Sequence, residues 1–281
     1  MTERAHDLAQ AAEQWWKTSI IDIKPGQINV RGYPIEQLIG NLGYAQMVWL
    51  MLRGEVPTAG QGALLEAALI AAVDHGPQAP SISVARMSVT CGIDINNAMA
   101  SAVNVLGDVH GGAGQQCMEM YHTIVEAVRQ MQEGANSVER AVSDAIDRYQ
   151  ATVSKIIPGF GHRFHHHDPR SERLLALLDT ARERGVIDGG YLDVARAVEA
   201  ELARRKGKPV PMNIDGATAA VYCELGFPAA LGRGLFILSR SVGILAHAYE
   251  QSQQGERIKG PMPPRIPYTY TGEPKRDFTG K

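Results

Sequence analysis

Very little in this sequence marks a special environment. Three cysteines, Cys91, Cys117 and Cys223, are scattered over 281 residues with no CxxC spacing. A set that is odd and dispersed excludes a disulfide framework or a zinc knuckle and fits a reducing compartment. Aromatic residues make up only 6% of the chain, and 28 Lys and Arg stand against 30 Asp and Glu for a net charge of −2. That balance leaves no electrostatic footprint for nucleic acid or an anionic membrane. No apolar run is read as reaching the ~18 residues that a bilayer span needs. The opening, MTERAHDLAQAAEQWW, is polar and mixed in charge, unlike a signal peptide. Internal repeats and sustained heptads are lacking. The expectation is a cytoplasmic globular protein with neither nucleic-acid nor membrane partners.

What is present is mostly helix. Hydrophobic residues at 44% and charged residues at 21% suit a chain that buries a sizeable core. A first helix is expected over 5–17. Two short β-rich runs about Pro25-Gly26 then read as a hairpin. Pro34 opens a short helix, and Tyr44–Arg53 carries apolar residues at helical spacing. Thr58 suits an N-cap for an Ala/Leu-rich helix running to His75, with Gly76-Pro77 as the stop. Further helices are expected at about 81–91, 94–106, 112–133, 136–154, 170–184, 188–206, 215–225 and 228–253. The Pro-rich stretch after Gly260 cannot continue a helix and reads as an extended arm. With only two strands visible, the fold class is all-α: one body over residues 1–281, with about 158–225 as a smaller lobe.

Several histidines sit beside glycine or charge, and each also has a plain structural reading. His75 reads as a helix C-terminus, where a partly positive imidazole is favoured. His110, before Gly111-Gly112, is a turn residue or one that glycines leave open to a ligand. Gly159-Phe-Gly-His162 is a tight loop or a cradle of bare backbone; no strand precedes it, so a nucleotide-fold reading fails. Asp215 reads as an N-cap, and Asp168-Pro169 as N-cap and N1, placing Arg170 in the first helical turn. The run His165-His166-His167 lacks a carboxylate or thiolate at useful spacing, so no metal site is expected. Arg240 and His247 share a helix face, where a buried arginine requires an anionic or polar partner. The cysteines read as buried apolar residues. Together, two imidazoles, a carboxylate and several arginines on glycine-flanked loops suit proton abstraction beside a carbonyl with an anionic partner held in place.

At this level the residues resemble a known family. Residues 29–38 (NVRGYPIEQL), Val109-His-Gly-Gly-Ala, Gly159-Phe-Gly-His-Arg with Asp168-Pro-Arg, Asn213-Ile-Asp and Leu238-Ser-Arg-Ser-Val-Gly-Ile-Leu-Ala-His resemble the citrate synthase superfamily, in its order, from about residue 20 to 272. The short length and Ala72-Val-Asp-His-Gly-Pro resemble the citryl-CoA lyase type, including the lyase module of ATP-citrate lyase. His110 departs from that module and matches the synthases. The resemblance implies a helical fold of large and small lobes and no permanently bound cofactor, with a CoA thioester as substrate. It implies Asp215, His110 and His162 as catalytic groups: Asp215 moves a methyl proton of acetyl-CoA, His110 hydrogen-bonds the thioester oxygen, and His162 serves the oxygen of the 2-oxo acid. His75, Arg170 and Arg240 would hold that acid, and Pro158, Gly159, Phe160 and Gly161 would meet the CoA adenine. A homodimer is implied, with Arg265 donated to the partner subunit. The expected activity is citryl-CoA cleavage to acetyl-CoA and oxaloacetate. Citrate synthesis, a citramalyl- or methylcitryl-type reaction, and a non-catalytic CoA-thioester binder are the alternatives.

Overall fold

The structure, a computed structural model, describes residue 8 and residues 11–131, 137–162, 167–278 and 280. Residues 11–15 are helical. A three-stranded antiparallel sheet follows: β1 (Ile21–Lys24), β2 (Gln27–Val30) and β3 (Tyr33–Pro34), in that order. β1 and β2 form the expected hairpin, with Ile21 opposite Val30 and Ile23 opposite Ile28. The third strand has only two residues and escaped the sequence reading. It pairs Tyr33 with Val30 across Arg31-Gly32, and both turn residues have positive φ, at 50° and 88°. This is the turn geometry that matches strand twist. The Arg31 guanidinium secures it by donating twice to the Met51 carbonyl oxygen, at 3.1 and 2.6 Å.

Helices then run α1 (Ile35–Leu38), α2 (Tyr44–Arg53), α3 (Ala59–Ala71), α4 (Pro80–Thr90), α5 (Ile95–Asn104), α6 (Ala113–Gln130), α7 (Ser137–Thr152), α8 (Pro169–Glu183), α9 (Gly190–Lys206), α10 (Ile214–Glu224) and, after a 3₁₀ turn at Ala229–Leu231, α11 (Gly232–Gln253). Thr58 caps α3, as expected, by accepting from the Gln61 amide at 3.3 Å. One expectation is corrected here. α3 ends at Ala71, four residues short of His75, so His75 is not a helix terminus. The Asp74 carboxylate accepts from the Gly76 amide at 3.1 Å, and such a local turn competes with a further helical turn.

The chain forms two compact units, Met1–Val73 with Gly107–Arg240, and Asp74–Leu106 with Ser241–Lys281. Residues 158–225 fall wholly within the first. At its centre lies α10, apolar on all sides, with Ala217, Ala219, Ala220 and Val221 completely buried. It packs against α3, α6, α8 and α9. The second unit has a core of small residues and isoleucines: Ala79, Ile82, Ala85, Ala98, Ala102, Ile244 and Ala248. After α11 no helix or strand forms among the described residues, and the Pro-rich stretch is exposed. Its start is tied to the end of α4, because the Ile258 amide donates to the Thr90 carbonyl and the Lys259 amide to Thr90 Oγ1, both at 2.9 Å.

Two further readings change. Cys117 and Cys223 are buried, but Cys91, one residue past α4 and followed by Gly92, is exposed. The 25-residue helical stretch Ala229–Gln253 is long and apolar enough to cross a membrane by length and composition. Counting uninterrupted apolar runs hid this, because Arg233 and Arg240 break the run. Both arginines have protein partners: Arg233 donates to Asp108 and Arg240 to the Ala72 carbonyl.

α10 is fastened at its far end. Glu224 accepts from the backbone amides of Gly189, Tyr191 and Leu192 at 3.0, 2.7 and 2.9 Å, satisfying the start of α9, whose own cap residue Gly189 has no side chain. Glu224→Ala leaves these donors without their acceptor and is expected to lower stability by about 1–3 kcal/mol. A fall in the urea midpoint at unchanged slope checks this.

Candidate active site

The site begins with a cap. Asn213 opens α10, its side-chain oxygen accepting from the Asp215 amide at 2.9 Å and the Gly216 amide at 3.4 Å. The sequence reading gave that role to Asp215. Because Asn213 performs it, the Asp215 carboxylate in the first turn is spared for other work. Burial pushes its pKa above the ordinary 3.8, against the opposing pull of the Arg240 and Arg170 charges and with a further push from Asp168. Asp215 nevertheless keeps a partly exposed surface.

Beside it runs the loop at 158–161. Pro158, Gly159 and Phe160 are buried and Gly161 is half-buried. The loop is bound to the start of α10 by backbone: Gly161 N donates to Pro211 O at 2.7 Å, and Asn213 N to Gly159 O at 3.0 Å. The Asn213 side-chain amide donates to Gly161 O at 2.9 Å. Gly159 has φ +83°, and a Cβ there would stand 2.7 Å from Gly216 Cα and 2.8 Å from Cys117 Sγ. Glycine is needed at this position for both reasons.

Charge is organised around Asp168. It is buried, caps α8 by accepting from the Arg170 amide, and takes the Arg170 Nε and Nη2 groups on its two oxygens at 3.0 and 2.8 Å. Burial alone would raise its pKa, but the Arg170 hydrogen bonds and charge, with a smaller pull from His162, hold it below the ordinary value. Arg240, buried on α11, donates from Nε to Ala72 O at 3.1 Å and lies 4.8 Å over the Phe236 ring. His110 is half-buried in the loop before α6. The first turn of α6 reaches Asp215, since a Cβ at Gly114 would meet Asp215 Oδ1 at 3.9 Å. The same loop is anchored by Arg233, which donates to Asp108.

The first unit therefore carries Asp215, His110, His162, Arg170, Arg240 and residues 158–161. His75 and Arg265 belong to the second and are both exposed. His165 and His166 lie outside the described residues. His167 is exposed and 3.7 Å from Glu172. Among the described residues no three His, Cys, Asp or Glu side chains gather as an ion site. Sequence reasoning missed Asn213 as the cap and Asp168 as the clamp on Arg170. The signal for the second was present in Asp168-Pro-Arg, whose i to i+2 spacing at a helix start lets one carboxylate serve both amide and guanidinium.

The description "Citrate synthase, C-terminal domain" matches residues 59–261. The chain belongs to the citrate synthase family. Citrate synthase of Haloferax volcanii is 31% identical over 241 residues, 85% of this chain and 58% of its own length. The 2-methylcitrate synthase of Mycobacterium tuberculosis is 31% identical over 82% of this chain and 54% of its own. This family member thus spans little more than half the length of these relatives. Citryl-CoA lyase from Hydrogenobacter thermophilus superposes with a TM-score of 0.80 at 35% identity, covering 94% of this chain and 97% of that one. ATP citrate lyase from Methanothrix soehngenii, solved with citrate and coenzyme A, shares the fold at a TM-score of 0.77 and 20% identity, over 97% of this chain and 45% of its own. The all-α, citrate synthase-like expectation stands, with the small N-terminal sheet as its β element.

Burial of Asp215 has a consequence for stability. Because its folded pKa is raised, the native state binds the proton more tightly than the unfolded chain, so stability falls as pH rises from the ordinary 3.8 through the raised value. Asp215→Asn removes that loss. The variant should melt at a higher temperature than the parent near neutral pH, with the gap closing as pH falls toward the ordinary carboxylate value. Calorimetric scans across that range test the sign.

Proposed function

We propose that this family member is a citryl-CoA lyase, cleaving citryl-CoA to acetyl-CoA and oxaloacetate. The observation that carries the reading is the likeness to a citryl-CoA lyase, at 35% identity and a TM-score of 0.80 over nearly the whole of both chains. The Asp74-His75-Gly76-Pro77 segment supports it.

In this reading His162 takes the hydroxyl proton of citryl-CoA. The carbon–carbon bond then breaks, its electron pair passes into the thioester enolate, and oxaloacetate forms. His110 donates a hydrogen bond to the enolate oxygen; removal of one such donor commonly costs ~2.7–4 kcal/mol of transition-state stabilisation. Asp215 delivers a proton to the methylene carbon and completes acetyl-CoA. A carboxyl whose pKa burial raises is suited to carry that proton, and one that must give it up is not wanted fully ionised. His75, Arg170 and Arg240 hold the oxo acid, and residues 158–161 meet the adenine of CoA. Asp168 keeps the Arg170 fork in one orientation. The protein acts in the cytoplasm as a homodimer, with Arg265 reaching the partner subunit's site and no resident cofactor.

Synthesis of citrate is the second reading, favoured by His110 and by the 31% identity to a citrate synthase. The same groups serve it in reverse. The two readings separate in a product assay, with citryl-CoA in one tube and acetyl-CoA plus oxaloacetate in another. The proposal predicts acetyl-CoA and oxaloacetate from the first and no free citrate from the second. Free citrate and CoA from the second would make the protein a small synthase. Asp215→Ala should lose activity by about 10²–10⁴-fold, the usual worth of a positioned acid or base.

A further inference from the structure

The loop that carries His75 is held by a chain of contacts within the second unit. Asp74 turns its carboxylate back onto the backbone that follows: Oδ2 accepts from the Gly76 amide at 3.1 Å, and the His75 amide also hydrogen-bonds to the carboxylate. His247, on α11, brings its Nε2 to 3.4 Å from both Asp74 oxygens. On the other side of the ring, Arg86 of α4 places Nη1 3.0 Å from His247 Nδ1. A guanidinium nitrogen can only donate. Nδ1 must therefore accept, and the ring proton lies on Nε2, directed at Asp74. Arg86 is in turn fixed by Glu250 and by Gln254, whose side-chain oxygen accepts from Nη2 at 2.9 Å. Fully buried Ala85 and Ala248 flank Arg86 and His247 in sequence, so both side chains stand on packed helices.

We propose that His247 is a positioning residue for His75: Arg86 holds it in one tautomer, it fixes the Asp74 carboxylate, and Asp74 fixes the backbone from which His75 projects. The arrangement supplies the supporting shell that a ligand-holding side chain on a loop needs if it is to keep its place within a fraction of an ångström. The inference rests on the reading of His75 as a group that holds the oxo acid.

The test is calorimetric binding of oxaloacetate and, separately, of CoA to the full chain and to His75→Ala, His247→Leu, His247→Gln, Asp74→Asn and the His75→Ala/His247→Leu double variant. His75→Ala, His247→Leu and Asp74→Asn should each weaken oxaloacetate by about tenfold and leave CoA within about twofold. His247→Gln, whose amide can still donate to Asp74, should recover most of the loss. The double variant should bind no more weakly than His75→Ala alone, because His247 acts through His75. Asp74→Asn keeps the side-chain volume and decides the matter should His247→Leu not fold. An oxaloacetate affinity unchanged in His75→Ala overturns the reading on which the proposal rests. Loss in His75→Ala with none in His247→Leu or Asp74→Asn overturns the positioning role alone, as does parallel loss of CoA.

Discussion

Two backbones meet at Gly159 and Gly216 with no room for a methyl group on either. At Gly216 a Cβ would come 2.4 Å from the Gly159 carbonyl oxygen, and at Gly159 it would strike Gly216 and Cys117. This approach joins the loop at 158–161 to the first turn of α10, and the Asn213 hydrogen bonds hold it closed. Asp215 is one residue from the contact. Its position against the first turn of α6, and hence beside the loop bearing His110, follows from where this backbone junction puts the start of α10. Tyr121 adds a buried side-chain hydrogen bond to the same junction, donating to the Gly216 carbonyl oxygen at 3.4 Å.

Placing a carboxylate there has an energetic cost. α10 is the most enclosed helix of the first unit, and desolvation by its surroundings acts on Asp215 more strongly than the arginine charges that oppose it. Asp168, also desolvated, shows the opposite balance: a bidentate arginine and a backbone amide hold its pKa below the ordinary value. Burial thus favours the protonated form of one carboxylate, while the other stays paired with a cation. At Asp168 the hydrogen bonds and charge of Arg170 outweigh burial, and at Asp215 burial outweighs the arginine charges. A similar economy runs through the second unit, where Asp74 has amide donors and the His247 ring and also stays low.

The order and extent of the helices were legible, because Tyr44–Arg53, the Thr58 cap and the Asp168-Pro-Arg start are local signals that tertiary packing reinforces. The two-residue β3 was not, since a strand so short has no period of its own and exists through its pairing with Val30. The end of α3 was misplaced because Asp74 competes for backbone amides in a way that apolar spacing does not report. In the site, the side chains proposed as catalytic stand in ordered motifs that the sequence shows, whereas their supports do not. Asn213 could be told from Asp215 as the cap only once the backbone showed which of them points at the amides. The Arg86 and His247 contact joins residues 161 apart, a distance at which a single sequence carries no trace of proximity.

The central claim is that Asp215 is the group that carries the methyl proton of the CoA thioester. Exchange of acetyl-CoA methyl hydrogens into deuterated water isolates that step, run with an oxaloacetate analogue that lacks the reactive carbonyl and so stops carbon–carbon bond formation. The account predicts deuterium entering the methyl group with the parent protein and none above background with Asp215→Asn. Exchange that persists at the parental rate in Asp215→Asn would contradict it.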